Sequence, residues 1–108
     1  MTSHASEAVR WTADEIIREL NQRVDVLHQL GARKIGLFGS YRRGDATPES
    51  DMDFVVVLAR PSFDDYMAVK FYLEDLFGCA VDLVPEDSIK PRLRDTILSE
   101  ALYVKGLS

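Results

Sequence analysis

KIGLFGSYRRGDATPESDMDFVVVLA, residues 34–59, is the stretch of sequence that decides the fold. Its first apolar run, 34–38, predicts a short strand that the dipeptide Gly39-Ser40 ends abruptly. The β-branched, apolar run over 51–59 predicts a central strand. The polar residues between the two runs predict a short turn of helix or a loop. Two strands joined by a polar turn are therefore the expected centre of the fold.

A single helix is predicted before this segment. Thr12 and Glu15 have the spacing of a capping box, and Gly31 supplies a natural C-terminal stop. Between them, apolar residues recur at helical spacing and predict one buried stripe: Ile16, Leu20, Val24 and Leu27.

Two more helices and two strands are predicted after the central segment. Ser62 is expected to cap a second helix that ends at Gly78. Residues 79–84 predict a third strand, 90–101 a final helix and 102–104 a brief terminal strand. The expected buried residues are Tyr66, Val69, Leu73 and Leu76 on the second helix and Leu93, Ile97 and Leu98 on the final one. This order predicts an α/β (α+β) fold, a small mixed β-sheet flanked by helices.

Length and composition describe one ordinary globular domain. The 108 residues suit a single domain over 1–108, in which residues 1–10 are expected to be a loose N-terminus. No stretch approaches the roughly 20 apolar residues that span a bilayer, and the polar opening residues do not resemble a secretory signal. A cytoplasmic protein without membrane contact is therefore expected. Cys79, the single cysteine, permits no internal disulfide and predicts a small buried side chain.

The net charge of −5 argues against a protein whose main task is binding nucleic acid. Such binding depends on Lys and Arg side chains that neutralise phosphates. The negative charge is compatible with a cationic protein partner or with acidic groups gathered around metal ions.

Three acidic residues lie in strands, where acids are depleted. Asp51 and Asp53 begin an apolar strand, and Asp82 interrupts another one. Positions i and i+2 of a strand point to the same face, so Asp51 and Asp53 should direct two carboxylates into one small volume. Their repulsion would be relieved by a divalent cation. If Asp82 lies on the adjacent strand and the same face, three carboxylates could bind one or two Mg²⁺ ions together with substrate phosphates.

Gly39 and Ser40 supply the second half of such a site. A glycine directly after a strand lets the backbone approach a ligand closely, and the amides of the following turn with the Ser40 hydroxyl can hold phosphate oxygens. Arg42 and Arg43 add positive charge a few residues later, although a solvated loop position is the equally good interpretation for Arg42. A phosphate cradle beside a carboxylate metal site indicates a metal–triphosphate site.

Gly39-Ser40, ten intervening residues and Asp51-Met52-Asp53 together resemble the signature of the DNA polymerase β-like nucleotidyltransferase superfamily. Within that superfamily the chain is similar to the minimal nucleotidyltransferase (MNT) antitoxins, which are paired with HEPN-domain toxins. The resemblance extends from about Thr12 to Val104 and implies the polymerase β-like nucleotidyltransferase fold.

The resemblance also implies a role for each matching residue. Gly39 and Ser40 correspond to the triphosphate-binding dipeptide, and Arg43 to the arginine that faces the nucleotide phosphates. Asp51 and Asp53 correspond to the paired metal ligands. Asp82 corresponds to the third acid, which completes the metal site and is a candidate to accept the proton of the attacking hydroxyl. Met52 replaces a more usual Ile or Leu, an exchange that should leave the acids in place.

Two functions follow from this resemblance. The first is an antitoxin enzyme that transfers AMP from Mg²⁺–ATP to a hydroxyl, expected to be that of a tyrosine, on a HEPN ribonuclease toxin. The second is an antitoxin that sequesters the toxin in a stoichiometric hetero-oligomer, with nucleotide binding vestigial or regulatory. The small size, the negative charge and a surplus of aromatic side chains favour it, the aromatics being Phe63, Tyr66, Phe71, Tyr72 and Phe77. Transfer to a small molecule or to RNA is disfavoured because no acceptor domain is present. The base, the acceptor residue, the number of AMP groups and the stoichiometry stay open.

Overall fold

The computed structural model describes residues 11–107, so the prediction of a loose N-terminus at 1–10 lies outside the described residues. Its elements, in chain order, are α1 (Ala13–Asn21), α2 (Val24–Gln29), β1 (Ala32–Phe38), α3 (Gly39–Arg43), β2 (Met52–Leu58), α4 (Phe63–Phe77), β3 (Val81–Pro85), a 3₁₀ turn (Glu86–Ser88), α5 (Pro91–Glu100) and β4 (Leu102–Tyr103).

The four strands form one mixed sheet in the order β3-β2-β1-β4. Strand β1 is antiparallel to both β2 and β4, whereas β2 and β3 are parallel and joined by the crossover helix α4. The prediction of a mixed sheet flanked by helices is confirmed. Strands β1, β2 and β3 are neighbours, so the segments that carry the predicted site residues lie side by side.

One face of the sheet is covered by the helical core. Met52, Phe54 and Val56 of β2 are almost fully buried and pack into the same apolar cluster as Leu20 of α1 and Leu73 of α4. Because side chains alternate across a strand, Asp53 points to the opposite face of the sheet. The apolar core thus fixes the direction in which the acid points.

The prediction of one uninterrupted N-terminal helix was wrong, because the chain turns at Gln22 and Arg23. The Gln22 amide is shared between the carbonyls of Arg18 and Glu19, and the Arg23 amide bonds to the Leu20 carbonyl. These shorter-range bonds tighten the last turn and end the helix. Both predicted ends are correct, since Thr12 forms the capping box with Glu15 and Gly31, with a positive φ of 104°, follows α2.

The predicted stripe of α4 is correct at Val69 and Leu73 but wrong at its end. Phe77, 2% exposed, takes the place that was expected for Leu76, which is only half-buried. The Phe77 ring meets Trp11 edge-on at 4.9 Å, and the Phe77 carbonyl accepts a 2.9 Å hydrogen bond from the indole of Trp11. The predicted caps, Ser62 and Gly78, are present at the two ends of α4.

The predicted buried face of α5 was also wrong. Leu93 is 45% exposed, and Ile97 and Leu98 are only half-buried. Polar bonds rather than an apolar stripe hold the end of this helix: the Arg42 side chain donates to the carbonyl of Glu100. Strand bounds differ from the predictions as well, with β2 beginning after Asp51.

Cys79 lies just before β3 and is half-buried against the core. Across residues 11–107, no helix has the length and apolar character needed to cross a bilayer.

Candidate active site

Where β1 ends and α3 begins, the backbone of Gly39 lies close to the carboxylate of Asp53. The φ of Gly39 is +79°, a left-handed conformation that glycine adopts without strain. A Cβ atom at this position would clash with the Asp53 carboxylate, whose Cγ it would approach to 3.0 Å. The β1–β2 register places Phe38 opposite Asp53. Glycine is therefore required here both for the turn and for the packing of Asp53 against the backbone.

The two strands after this turn bring the predicted acids together. Asp53 lies directly opposite Asp82 in the parallel β2–β3 ladder, so both carboxylates are on the same face of the sheet. Asp51 precedes β2 by one residue and lies two positions before Asp53. Asp53 is half-buried, whereas Asp51 and Asp82 are exposed. The expectation that Asp82 lies on the adjacent strand and the same face is confirmed.

Burial and the neighbouring acids raise the pKa of Asp53. Its pKa is raised to about 6, first by burial and then by the negative charges of Asp82 and Asp51. Arg43 lowers the pKa in part, and Glu100 adds to the increase. All three predicted acids therefore interact electrostatically, and Asp53 is the one that the others perturb.

Asp51, Asp53 and Asp82 are the side chains that could hold a divalent cation. Carboxylate oxygens are the hard ligands that Mg²⁺ prefers, and a cation between them would relieve the repulsion that adds to the effect of burial on the pKa of Asp53. As placed, the carboxylates do not form a closed set: no group of three or more His, Cys, Asp or Glu side chains within residues 11–107 is arranged to enclose a metal ion. The chemistry of the three donors nevertheless fits a Mg²⁺ ion that is also bound by substrate phosphates.

Glu100 is a site residue that the sequence analysis missed. Its Oε2 atom accepts a 2.8 Å hydrogen bond from the backbone amide of Gly39, and its Oε1 atom lies 3.4 Å from Nη1 of Arg43. No local pattern could reveal this contact, because 61 residues separate Glu100 from Gly39 and only the pairing of β4 with β1 brings α5 to the site. The amide that was expected to hold phosphate is thus bound by a carboxylate.

The two arginines of α3 have different surroundings. The Arg43 side chain is 52% exposed and lies 3.4 Å from both Asp45 and Glu100. Its position beside Asp53 agrees with a role toward phosphate. Arg42 is half-buried and its Nε atom donates a 2.7 Å hydrogen bond to the carbonyl of Glu100. Arg42 therefore ties α3 to α5, and the solvated interpretation does not apply to it.

A cavity of about 650 Å³ lies away from these residues, between the end of β2 and the start of α4. Leu58, Phe63, Tyr66 and Pro85 contribute to its mostly apolar wall. Leu58 lies five positions after Asp53 on the same strand, a distance of roughly 17 Å. Asp51, Asp53 and Asp82 do not line the cavity, which is therefore not part of the candidate site.

Comparison with known proteins identifies relatives that cover most of the chain. A family model described as "Nucleotidyltransferase domain" matches residues 14–104. Protein adenylyltransferase MntA of Thermococcus cleftensis is 41% identical over 81 residues, which cover 74% of this chain and 82% of that protein. The strands, the acids and the Gly39-Ser40 turn all lie within the residues that the family model matches.

Two solved structures have similar folds. One, provisionally assigned as a minimal nucleotidyltransferase, superposes with a TM-score of 0.67 at 32% identity over 88% of this chain and 98% of its own. The other is a Shewanella oneidensis complex of a tri-AMPylated HEPN toxin with an MNT antitoxin, with a TM-score of 0.58 at 20% identity over 83% of this chain and 72% of its own. The second likeness concerns the fold alone.

Proposed function

The chain belongs to the nucleotidyltransferase domain family, as a protein adenylyltransferase of the minimal nucleotidyltransferase (MNT) antitoxin type, and from that premise we propose which molecule it modifies and how. It transfers AMP from Mg²⁺–ATP to a tyrosine hydroxyl of a cognate HEPN ribonuclease toxin, and the modification neutralises the toxin. The observation that supports this proposal most directly is the pairing of Asp53 with Asp82 beside the Gly39 turn.

Each group of the site has one task in this reaction. Asp51, Asp53 and Asp82 would hold the Mg²⁺, which supplies positive charge to the phosphates and to the oxygens that gain charge in the transition state. The Gly39 amide, the Ser40 hydroxyl and Arg43 would orient the β- and γ-phosphates. Most of the rate enhancement then comes from positioning and charge neutralisation rather than from covalent chemistry by the protein.

The transfer step forms one bond and breaks one bond. The acceptor oxygen attacks the α-phosphorus, the bond from that phosphorus to the oxygen bridging the α- and β-phosphates breaks, and pyrophosphate leaves. The hydroxyl proton moves to a carboxylate, for which Asp82 is the proposed acceptor. Asp82 is exposed and lies opposite Asp53, so a protein hydroxyl can reach it from solvent.

The proposal that the AMP acceptor is a toxin protein is supported by the relatives. MntA is a protein adenylyltransferase, and the Shewanella oneidensis structure contains an AMP-modified HEPN toxin bound to its MNT antitoxin. The acidic character of this chain, with a net charge of −5, is compatible with docking to a cationic toxin surface.

Intact-mass measurement tests the transfer and identifies its acceptor together. The chain is mixed with the protein encoded beside its gene, with ATP and Mg²⁺, and both masses are recorded. We expect the partner to gain one or more adenylate units, and we expect Asp53→Asn to abolish the gain. Asp64→Asn removes the same charge at an exposed position on α4 and should transfer at the parental rate. Transfer by Asp53→Asn at that rate would refute the metal-site assignment.

Sequestration is the second candidate, and exposed aromatic side chains favour it. Phe63 and Phe71 on α4 are 75% and 55% exposed, which suits a surface that docks another protein. The discriminating observation is whether Asp53→Asn still protects cells from the toxin. Full protection by a variant that transfers no AMP would establish sequestration as the route of neutralisation.

A further inference from the structure

Glu100 contacts the two anion-binding groups that the site offers to a nucleotide. One carboxylate oxygen accepts from the Gly39 amide at 2.8 Å, and the other lies 3.4 Å from the Arg43 guanidinium. Two oxygens on one anionic centre, bound to a backbone amide and to an arginine, reproduce the contacts that a phosphate group makes in such a cradle. Glu100 therefore has the geometry of an internal substitute for phosphate.

The position of Glu100 is fixed by the fold. Its backbone carbonyl accepts the 2.7 Å hydrogen bond from Arg42, and β4, which begins two residues later, pairs with β1 beside the turn. The side chain is 24% exposed, and its described contacts are the bonds of its carboxylate to Gly39 and Arg43. A nucleotide can therefore displace the carboxylate while the end of α5 stays anchored.

The charges around Glu100 favour its release when Mg²⁺–ATP binds. Glu100 is one of the negative groups that raise the pKa of Asp53, so it lies in an acidic environment with Arg43 as its cationic contact. Phosphate oxygens carry more charge than one carboxylate and would arrive together with Mg²⁺. We propose that the Glu100 carboxylate occupies the β,γ-phosphate subsite of the free protein and competes with the nucleotide triphosphate for the Gly39 amide and Arg43.

This inference rests on the proposed function, since it assigns Gly39 and Arg43 to the triphosphate. It adds that nucleotide affinity is set partly by a residue outside the recognised motif. The competing interpretation is that Glu100 only positions the turn, in which case its removal weakens nucleotide binding. The two interpretations predict opposite signs for the same substitution.

Titration calorimetry of the full chain with Mg²⁺–ATP distinguishes a competing Glu100 carboxylate from one that only positions the turn. We expect Glu100→Ala to bind Mg²⁺–ATP about five- to tenfold more tightly than the parent protein, because a charge-assisted contact no longer has to be broken first. Glu100→Gln keeps a neutral acceptor for the Gly39 amide, so its affinity should be intermediate. The increase in affinity should be absent for AMP, which has no β- and γ-phosphates. Asp95→Asn, at an exposed position on the same helix, removes one negative charge away from Gly39 and should leave both affinities unchanged.

Each outcome has a distinct meaning. Equal or weaker Mg²⁺–ATP binding by both Glu100 variants, with normal binding by the parent protein, overturns this inference and leaves the proposed function intact. An equal gain in Asp95→Asn would show a general charge effect and would also overturn it. If neither the parent protein nor any variant binds Mg²⁺–ATP, the proposed function fails and this inference fails with it. Unfolding of Glu100→Ala could mimic weaker binding. The affinity of Glu100→Gln, measured on protein whose fold is checked by circular dichroism, therefore decides whether loss of the Glu100 charge strengthens or weakens Mg²⁺–ATP binding.

Discussion

Asp53 and Asp82 face the same side of the sheet from directly opposed positions on two parallel strands. Each strand carries its acid at its second residue, so the register alone brings the carboxylates together. Burial and then the charge of Asp82 raise the pKa of Asp53, and Arg43 offsets the increase only in part. The pair of acids determines how the site responds to protons, to metal and to substitution.

Asp53→Asn should stabilise the protein in the presence of a chelator at pH 7.5. The folded-state pKa of about 6 lies above the ordinary value of 3.8, so charged Asp53 is destabilising, fully so above pH 6 and progressively less as the pH falls toward 3.8. Since the group is half-exposed, the gain is discounted to about 1 kcal/mol, or roughly 4 °C in Tm. Thermal melts at pH 7.5 and pH 4 measure it, and a gain of the same size at both pH values would contradict the assigned cause.

Mg²⁺ should raise the melting temperature of the parent protein and have little effect on Asp53→Asn. A cation that binds the folded chain stabilises it in proportion to RT ln(1 + [Mg²⁺]/Kd), whereas loss of one ligand weakens the site. Melts over 0 to about 20 mM MgCl₂, with NaCl matched for ionic strength, measure the difference. Equal shifts in the two proteins would show that Mg²⁺ acts at another place.

Gly39→Ala should cost far more stability than Gly44→Ala. Both glycines have positive φ, +79° and +87°, so each substitution carries a backbone cost of about 1–2 kcal/mol. Only at Gly39 would the new Cβ also clash with the Asp53 carboxylate, whereas nothing lies within 4 Å at Gly44. Urea unfolding of both variants isolates the clash, and AMP transfer should be lost in Gly39→Ala alone. Similar unfolding midpoints would refute the close packing of Asp53 on the turn.

The neighbouring arginines should separate stability from nucleotide binding. Arg42→Ala removes the 2.7 Å hydrogen bond to the Glu100 carbonyl and should lower the free energy of unfolding by about 1–2 kcal/mol. Arg43→Ala removes only exposed ion pairs at 3.4 Å, so its free energy of unfolding should stay close to that of the parent protein while the KM for ATP rises. Denaturation and steady-state kinetics on the two variants provide the comparison. A KM unchanged in Arg43→Ala would remove Arg43 from the nucleotide site.

The parts of the site that follow from strand periodicity could be predicted from the sequence. Gly39, Asp51 and Asp53 lie on one short segment, and the alternation of side chains predicts that the two acids share one face. Asp82 required an additional assumption about which strands are neighbours, and the parallel pairing of β3 with β2 confirmed it.

The parts that depend on distant packing could not be predicted. The final helix was expected to bury Leu93, but tertiary polar contacts at Glu100 hold α5 instead, and helical periodicity carries no information about them. The break at Gln22 and Arg23 was missed for a related reason, since the apolar spacing of α1 and α2 continues across the turn. Sequence periodicity thus predicted which strand positions share a face of the sheet. It did not predict where α1 ends or which contacts hold α5 against the rest of the domain.

The sheet order leaves β3 at one edge of the sheet, where side chains of α4 bond its backbone groups. Lys70 and Tyr66 donate to the carbonyls of Val81 and Leu83, and Glu74 accepts from the Val81 amide. That strand contains Asp82 and ends at Pro85, and charges and prolines on edge strands discourage the addition of a foreign strand. The crossover helix α4, which connects β2 to β3, therefore also shields this edge from the addition of a strand from another molecule.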